Sequence, residues 1–333
     1  MIKGRASAKI AASFIIAFII CVSAASLGTS RISFSDTLRV IFHITDNVEP
    51  NTVSIVWKLR LPRVILSFLV GGCISISGAV FQSILKNNLA SPYVMGVSSG
   101  ASLGASLVMI LGFSIPILHQ FTMPLFGFVF GFFTVIFVIS FSSKLDKSMS
   151  NNTVILCGMV FSLFVNAIIT LLVALFREEL KTLIIWQMGS FSMKGWLYVR
   201  LILPFFVIGT IGVMMYTKEM DLMTFGEDDA KSVGVETEKV KKILFTQGAI
   251  LTGGSVALSG VIGFVDLIAP HVSRRIVGSQ HKYLLPQSFI IGGTLMTVSD
   301  LIARTIVSPS ELPVGAVTAI LGAPFFAYMY FRK

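Results

Sequence analysis

Residues 87–143 read NNLASPYVMGVSSGASLGASLVMILGFSIPILHQFTMPLFGFVFGFFTVIFVISFSS and contain no Asp, Glu, Lys or Arg. A helix needs about 20 apolar residues to cross roughly 30 Å of hydrocarbon. This stretch is therefore long enough for two membrane spans, with a break near Pro116, His119 and Pro124. Its length and its lack of charge predict an integral membrane protein.

The overall composition indicates the same class of protein. Of the 333 residues, 54% are hydrophobic and 13% are charged, and the mean hydropathy is +0.86. Soluble domains carry roughly 25% charged residues, so this chain has too little polar surface for a water-soluble globule. The net charge of +10 fits basic residues in short cytoplasmic loops beside anionic membrane lipid. Without a long basic arm or a soluble domain, no nucleic-acid binding is expected.

Nothing in the sequence indicates a cofactor or an active site. Cys21, Cys73 and Cys157 each lie in an apolar run without metal-ligand spacing, which is typical of small buried hydrophobic residues. The G-x-x-x-x-G-K-[ST] phosphate loop and the H-E-x-x-H zinc motif are both absent from the sequence. We therefore expect no cofactor, no metal and no enzymatic activity in this chain.

The charge-poor runs predict an all-α, polytopic transmembrane helix bundle that forms one domain over residues 1–333. Ten runs are candidate spans: 10–30, 64–85, 92–113, 121–143, 150–176, 197–217, 243–265, 267–279, 283–303 and 312–331. The eighth run is short because Arg274 and Arg275 shorten its apolar core. The basic N-terminus before Ser23–Ser26 resembles a cleavable signal peptide, but an uncleaved first span agrees better with the later loops. Ten spans then place the N-terminus and Arg332-Lys333 on the cytoplasmic side of the cell membrane.

One segment does not follow the positive-inside pattern. Residues 31–63 are expected outside, yet they include Arg31, Arg39, Lys58, Arg60 and Arg63. Positive charge is tolerated on that side where it has a partner or a function. The segment is therefore a candidate binding surface.

Two eight-residue segments indicate an internal repeat. Residues 71–78 read GGCISISG and residues 253–260 read GGSVALSG, and Pro92 and Pro270 follow them, each within two residues of an Ala. Five spans separate the two copies, so they run in opposite directions and relate spans 2–5 to spans 7–10. Inverted repeats are typical of transporters. The alternative is that small residues recur only because they allow close helix packing.

The scarcity of carboxylates within the predicted spans argues against ion-coupled transport. Asp266 and Asp300 are the exceptions, and both lie close to predicted span ends. Active transport would then need a separate ATPase that docks on the longest cytoplasmic loop, about 218–242. In that loop Thr224 and Glu227 have capping-box spacing and Gly234 suits a helix C-cap, which predicts a surface helix over Glu227–Val233. The loop is either a docking element or an ordinary solvated connector.

Long motifs resemble the FecCD-type permeases, the membrane subunits of ABC importers for iron–siderophores, haem and cobalamin. The resemblance covers nearly the whole chain. Its motifs are Leu59–Arg63, Gly71–Gln82, Asn88–Pro92, Gly96–Ala101, Trp186–Ser190, Gly226–Gly234, Glu311–Thr318 and Gly322–Pro324.

The resemblance implies a dimer of permeases, formed with a second copy or a paralogue, that carries two ATPase subunits. It assigns ATPase coupling to Gly226, Glu227, Asp228, Asp229, Ala230, Val233 and Gly234. It assigns docking of an external substrate-binding protein, through acidic residues of that protein, to Arg60, Arg63 and Arg304. For Arg60 and Arg63 the alternative is snorkelling at a span end, which is compatible with docking.

The resemblance also suggests a cytoplasmic gate at the turn before the fifth span. Ser150, Asn151 and Asn152 form that turn, although these residues differ from the family pattern. Asn166 lies in the middle of the fifth span and either faces the transport pathway or hydrogen-bonds to a neighbouring helix.

The preferred hypothesis is a permease subunit that takes up an iron–siderophore. A second hypothesis is the same machinery with cobalamin or haem as cargo. A third is an ion-coupled carrier that acts alone, and a fourth is a membrane scaffold without transport activity.

Overall fold

The computed structural model describes residues 2–28, 32–46, 48–116, 121–176 and 180–331, and the regular structure within these ranges is helical. In chain order the elements are α1 (Ile2–Ser26), α2 (Phe34–Ile41), α3 (Pro50–Ile55), a π-helical turn (Val56–Arg60), α4 (Leu61–Ile84), a 3₁₀ turn (Pro92–Met95), α5 (Val97–Leu111), α6 (Thr122–Leu145), α7 (Asn151–Leu175), α8 (Leu180–Gln187), α9 (Trp196–Met214), α10 (Thr217–Phe225), α11 (Glu227–Ser232), α12 (Thr237–Ser259), α13 (Val265–Val277), α14 (His281–Thr305) and α15 (Val314–Phe331).

The prediction of an all-α membrane bundle is confirmed. Each of the ten charge-poor runs coincides with one helix: α1, α4, α5, α6, α7, α9, α12, α13, α14 and α15. Within the described residues, five helical segments are long and apolar enough to cross a membrane: Arg5–Ser26, Pro50–Ile84, Thr122–Leu145, Asn151–Leu175 and Trp196–Met214. The chain is therefore a multi-pass membrane protein, and the count of ten spans stays a prediction.

The centre of the bundle is formed by α4, α12 and α14, which pack through small residues. A side chain at Gly71 of α4 would collide with the backbone of Gly292 in α14, so these two helices approach very closely. Against α12, Ser77 of α4 donates to the carbonyl oxygen of Gly248 at 2.9 Å and accepts from Thr252 at 2.8 Å. Because α12 and α14 lie against protein rather than lipid, their polar residues are compatible with membrane depth.

Two of the helices are too short to span a bilayer alone. At 1.5 Å per residue, α5 is about 22 Å long and α13 about 20 Å, against roughly 30 Å of hydrocarbon. Each follows a non-helical segment, and these segments touch where the Tyr93 hydroxyl donates to the Ile262 carbonyl at 2.8 Å. Irregular backbone is tolerated at membrane depth where protein surrounds it.

Asp266 is the second residue of α13, so it lies close to a helix end as expected. Its side chain is 1% exposed at the start of α13, and a Cβ on Gly78 of α4 would meet its backbone. Gln82 donates to the Asp266 carbonyl oxygen at 3.0 Å. The start of α13 is therefore packed against α4 inside the bundle.

The expected outer loop over residues 31–63 is mostly helical. It holds α2, α3 and the π-helical turn, which joins α3 to α4 so that Pro50–Ile84 forms one continuous helical segment. Arg31 lies outside the described residues. The turn places Arg60 at its last position and Arg63 in the first turn of α4.

The two GG-x4-SG segments occupy different positions in their helices. Residues 71–78 lie inside α4, whereas residues 253–260 end α12, with Gly260 as its C-cap. Pro92 opens the 3₁₀ turn, and Pro270 lies within α13. The inverted repeat therefore stays a prediction.

The two ends of the bundle carry different polar groups. We call the end with Arg60, Arg63 and Arg304 the arginine face, and the end with α10 and α11 the coupling face. The beginning of α1 lies on the coupling face, where Lys9 Nζ donates to the carbonyl oxygen of Ile276 at 2.6 Å. Arg332 and Lys333 lie outside the described residues.

Candidate functional site

The three arginines predicted to meet a binding protein lie together, but the chain itself engages their charges. The Nε and Nη2 atoms of Arg63 donate to Asp300 of α14 at 2.9–3.1 Å. Its Nη1 and Nη2 atoms donate to Glu311 at 2.7 and 3.0 Å. The side chains of Arg63 and Asp300 are 11% and 1% exposed. The bidentate geometry stabilises charges that burial alone would penalise.

The other two arginines bind the end of α1. Arg60 Nη1 donates to the carbonyl oxygens of Ala25 and Ser26 at 3.2 and 2.6 Å. Arg304 Nη2 donates to the carbonyl oxygen of Ala24. Helix C-termini carry partial negative charge, so cations are favoured there. Both side chains are buried, and they tie α1 to α4 and α14.

A cavity of about 290 Å³ opens beside these arginines. Its lining includes the three arginines, Glu311 and two further basic residues, Lys58 and Lys194. Lys58 is exposed, and Met193 at the same cavity is 92% exposed. A partner that approaches this face therefore meets Lys58 and Met193 before the arginines.

Two loop residues in this cavity have shifted pKa values. Burial and the positive charge of Arg63 lower the pKa of Lys194 to about 7, although Asp300 opposes the change. The Lys194 ammonium donates to the carbonyl oxygens of Ser190, at 2.5 Å, and Leu258. Hydrogen bonding from Arg63 holds the pKa of Glu311 below its ordinary value despite partial burial. Lys194 therefore changes its charge near neutral pH, while Glu311 stays ionised.

The predicted surface helix on the coupling face is confirmed as α11, within one residue. Gly234 has φ +90° and follows the C-cap Val233. Val235 N–H donates to Ala230 and Gly234 N–H donates to Lys231, each at 3.0 Å. This pattern is the Schellman motif expected at a glycine that ends a helix.

The predicted capping box at the start of α11 is wrong. Thr224 lies inside α10, and its hydroxyl donates to the carbonyl oxygen of Asp221 at 2.6 Å. Gly226 occupies the N-cap position instead. Glu227 is drawn away by a lysine of α12, so it is not available to complete the box.

The seven residues predicted to couple to an ATPase differ in exposure. Asp228, Asp229, Val233 and Gly234 are exposed, whereas Gly226 and Glu227 are half-buried and Ala230 is 1% exposed. Ala230 packs into the apolar core of the bundle. It therefore holds α11 on the chain and presents no surface to a partner.

An exposed aromatic residue beside α11 was not predicted as part of this site. Phe225 is 82% exposed and immediately precedes Gly226. With Val233, which is 65% exposed, it gives the acidic helix an apolar contribution at each end. The sequence signal was the only Phe in the loop 218–242, which is rich in charged residues.

Lys241 joins the coupling helix to the predicted gate. Its side chain is 1% exposed, and its ammonium lies 2.7 Å from Glu227 Oε1 of α11. The same ammonium donates to the Met149 carbonyl oxygen at 3.0 Å. Sequence reasoning missed this residue because a lysine at the start of a span also satisfies the positive-inside pattern.

The predicted gate residues lie in a turn that is held by one carboxylate. Asp146 accepts from the backbone and hydroxyl of Ser148 at 2.9 and 2.6 Å, and from the Ser150 N–H at 2.9 Å. Hydrogen bonds from Ser148 and then Ser150 hold the pKa of Asp146 well below its ordinary value. Asn151 donates to the Leu85 carbonyl oxygen at 3.0 Å, and Asn152 is exposed.

Asn166 lies in the middle of α7 and is exposed on the surface of this chain. Its backbone carbonyl oxygen accepts a hydrogen bond from the Thr170 hydroxyl in the same helix at 2.9 Å. Among the described residues, no hydrogen bond joins its side chain to another helix. Whether Asn166 faces the transport pathway therefore stays a prediction.

No group of three or more His, Cys, Asp or Glu side chains is placed to hold a metal ion in the part of the chain that the structure describes.

Comparisons with known proteins identify the family of this chain. A model described as the FecCD transport family matches residues 14–332. The chain is 42% identical to the uncharacterized ABC transporter permease protein YvrB of Bacillus subtilis (strain 168), over 92% of this chain and 89% of YvrB. It is 30% identical to the hemin transport system permease protein HmuU of Yersinia pestis, over 99% of this chain and 98% of HmuU. A solved inward-facing ABC transporter of proposed metal-chelate type has a TM-score of 0.86 and 29% identity, over 97% of this chain and 99% of that chain.

Proposed function

Since this chain belongs to the FecCD transport family and is an ABC importer permease, we propose that its cargo is a ferric chelate of the iron–siderophore type. Relatives from Bacillus subtilis are named for Fe(3+)-citrate import and for iron uptake, and HmuU is named for hemin. Others are named for cobalamin and for molybdate import. Iron-containing cargo is the commonest among these names, which supports the ferric chelate over cobalamin.

The observation that carries this function is the exposed acidic helix α11 on the coupling face. The exposed Asp228 and Asp229 in its first turn and the 82% exposed Phe225 form a surface that the bundle itself does not use. This chain has no phosphate-binding loop, so ATP hydrolysis belongs to a separate ATPase subunit. In a permease dimer, formed with a second copy or a paralogue, two such helices seat two ATPase subunits.

The arginine face is the proposed dock for the substrate-binding protein. Around the cavity, Lys58, Lys194 and the three arginines outnumber the carboxylates Asp300 and Glu311. The resulting positive field favours a partner with acidic residues. Because the arginines are buried and paired, Lys58 supplies the most accessible contact and the arginines contribute mainly through the field.

The transport pathway is proposed to lie between the two permeases. Asn166 is a polar residue exposed at mid-helix, where contact with lipid would be costly. A water-filled pathway lined by α7 gives it a favourable environment, with the turn Ser150–Asn152 as the cytoplasmic gate. The coupling face, and with it the beginning of α1 and the C-terminus, is then cytoplasmic.

Reconstitution tests the function and the cargo together. The permease, its ATPase and its binding protein are placed in proteoliposomes with ATP inside, and uptake of ⁵⁵Fe-chelate, haem and cobalamin is measured. We expect ATP-dependent uptake of the ferric chelate. Uptake of only cobalamin or haem would contradict the ferric chelate as cargo. Uptake by the permease alone under an ion gradient would contradict the ABC mechanism.

A further inference from the structure

Lys241 is the most buried charged side chain on the coupling face. It is 1% exposed, whereas its neighbour Lys239 is 66% exposed. A buried ammonium is unfavourable unless it is paired and hydrogen-bonded. Lys241 meets both conditions, through Glu227 at 2.7 Å and the Met149 carbonyl oxygen at 3.0 Å.

These two contacts join three elements that are distant in the sequence. Glu227 opens α11, Lys241 lies in the second turn of α12, and Met149 belongs to the turn before α7. A charge-neutralising lysine needs only the carboxylate. The second contact, to the Met149 carbonyl oxygen, fixes where the turn lies relative to α11.

The turn around Met149 is built to move as a unit. Met149 is fully buried in the left-handed conformation, with φ +49°, which is uncommon for a residue other than glycine. Asp146 binds Ser148 and Ser150 on either side of it. A displacement of the Met149 carbonyl oxygen is therefore passed to Ser150 and to the start of α7.

We propose that Lys241 is a positioning residue that transmits displacement of α11 to the turn 146–151. The proposal rests on the proposed function, in which α11 binds an ATPase and the turn gates the pathway. It adds a specific mechanical connection. When α11 moves, Glu227 moves with it and displaces the Lys241 ammonium. The ammonium then displaces the Met149 carbonyl oxygen to which it is hydrogen-bonded.

The first test measures chelate transported per ATP hydrolysed in the complete reconstituted complex. Lys241→Met removes both contacts and keeps a side chain of similar length. We expect the ratio to fall at least fivefold while the ATPase still co-purifies with the permease. Lys241→Arg keeps donors for both partners and should retain most of the ratio. Lys239→Met, on the exposed side of the same helix, should leave the ratio unchanged.

Two combinations of substitutions at Glu227 and Lys241 test whether Lys241 transmits displacement or only neutralises the charge of Glu227. Glu227→Gln should lower the ratio as Lys241→Met does, and combining the two should cost no more than either alone, because both interrupt one chain of contacts. Exchanging the two residues, Glu227→Lys with Lys241→Glu, restores the ion pair, but a carboxylate cannot donate to the Met149 carbonyl oxygen. The exchange should recover thermal stability and leave the ratio low.

Distances between spin labels distinguish a loss of transmission from a loss of stability, because a change in stability alone would not alter them. Cysteines are placed at the exposed Ser232 of α11 and Lys147 of the turn, in a background without Cys21, Cys73 and Cys157, and each label is referenced to a label on α9. ATP and vanadate should shift both labels in the wild type, and only the label at Ser232 in Lys241→Met.

The possible failures are distinguishable. A wild-type complex without ATP-dependent uptake, or without a bound ATPase, contradicts the proposed function. A wild-type complex that transports, together with an unchanged ratio in Lys241→Met, additive losses in the double variant or a full recovery in the exchange variant, overturns the role of Lys241. If Lys241→Met does not fold, the half-exposed Glu227→Gln variant decides the question by the same ratio and the same label distances.

Discussion

The arginine face and the coupling face both combine acidic and basic residues, but they leave different groups for a partner. At the arginine face, Arg63 is 11% exposed and holds Asp300, which is 1% exposed. At the coupling face, Asp228 and Asp229 are exposed, and among the described residues neither carboxylate lies within 4.0 Å of a basic side chain. The charges of the arginine face hold helices together, whereas Asp228 and Asp229 on the coupling face remain on the surface.

This difference separates two uses of charge that residue type alone cannot separate. Buried, bidentate pairs position helices, and removing one member leaves an uncompensated charge. Exposed charges contribute little to stability but can orient a partner and raise its association rate. The arginine cluster is therefore first a structural element, and the acidic helix α11 is first a binding surface.

The largest expected effect comes from breaking the arginine cluster. Arg63→Ala removes the bidentate partner of buried Asp300 and should destabilise the folded chain by about 3–5 kcal/mol. Thermal unfolding in detergent measures the change. Arg39→Ala is the control, because Arg39 is 47% exposed and its pair with Asp36 spans 3.5 Å on the surface. Equal melting temperatures for the two variants would contradict a structural role for the cluster.

The next effect should appear in binding without any change in stability. Phe225→Ser should weaken ATPase binding by about 2 kcal/mol, roughly thirtyfold in Kd, because exposed aromatic residues are common hot spots. Met193→Ser is the matched control, since Met193 is 92% exposed on the opposite face. Binding of the ATPase to nanodisc-embedded permease measures both. If the Phe225→Ser variant binds the ATPase as tightly as the wild type does, Phe225 makes no apolar contribution to ATPase binding.

The positions of the helices were predictable because a membrane-spanning helix needs a continuous apolar length. The interruptions inside the bundle were not, since the 3₁₀ turn Pro92–Met95 lies in the same uncharged run as the helix that follows it. Its polar backbone is satisfied by contacts such as that of Tyr93 with Ile262, and no local pattern contains such a contact.

The grouping of the arginines was predictable, but their partners were not. Arg63 lies 237 residues from Asp300 and 248 residues from Glu311, so spacing along the chain gives no sign of either pair. The helix α11 and its glycine C-cap were predicted correctly because capping is local. Lys241 was missed because its importance depends on a carbonyl oxygen 92 residues away.

A smaller effect is expected for exposed charge on the arginine face. Lys58→Gln should weaken docking of the binding protein a few-fold at low salt, mostly through a slower association rate. Raising the ionic strength should reduce the difference from the wild type, because salt screens exposed charges. Lys239→Gln on the coupling face is the control and should change neither the association rate nor the dissociation rate of the binding protein. Docking that is insensitive to salt would contradict an electrostatic dock.

The smallest expected effect concerns Lys194, whose pKa is lowered to about 7 by burial and by the positive charge of Arg63. As the pH falls from 8 to 6, Lys194 gains its proton, the arginine face becomes more positive, and an acidic partner should bind about twofold more tightly. Lys194→Met should remove this pH dependence. Because His43 contacts Trp57 on the same face, the wild-type and Lys194→Met permeases both carry His43→Gln, so that they differ only at Lys194. An equal pH dependence with and without Lys194 would assign the titration to the binding protein, and the arginine face would then present a constant charge to its partner.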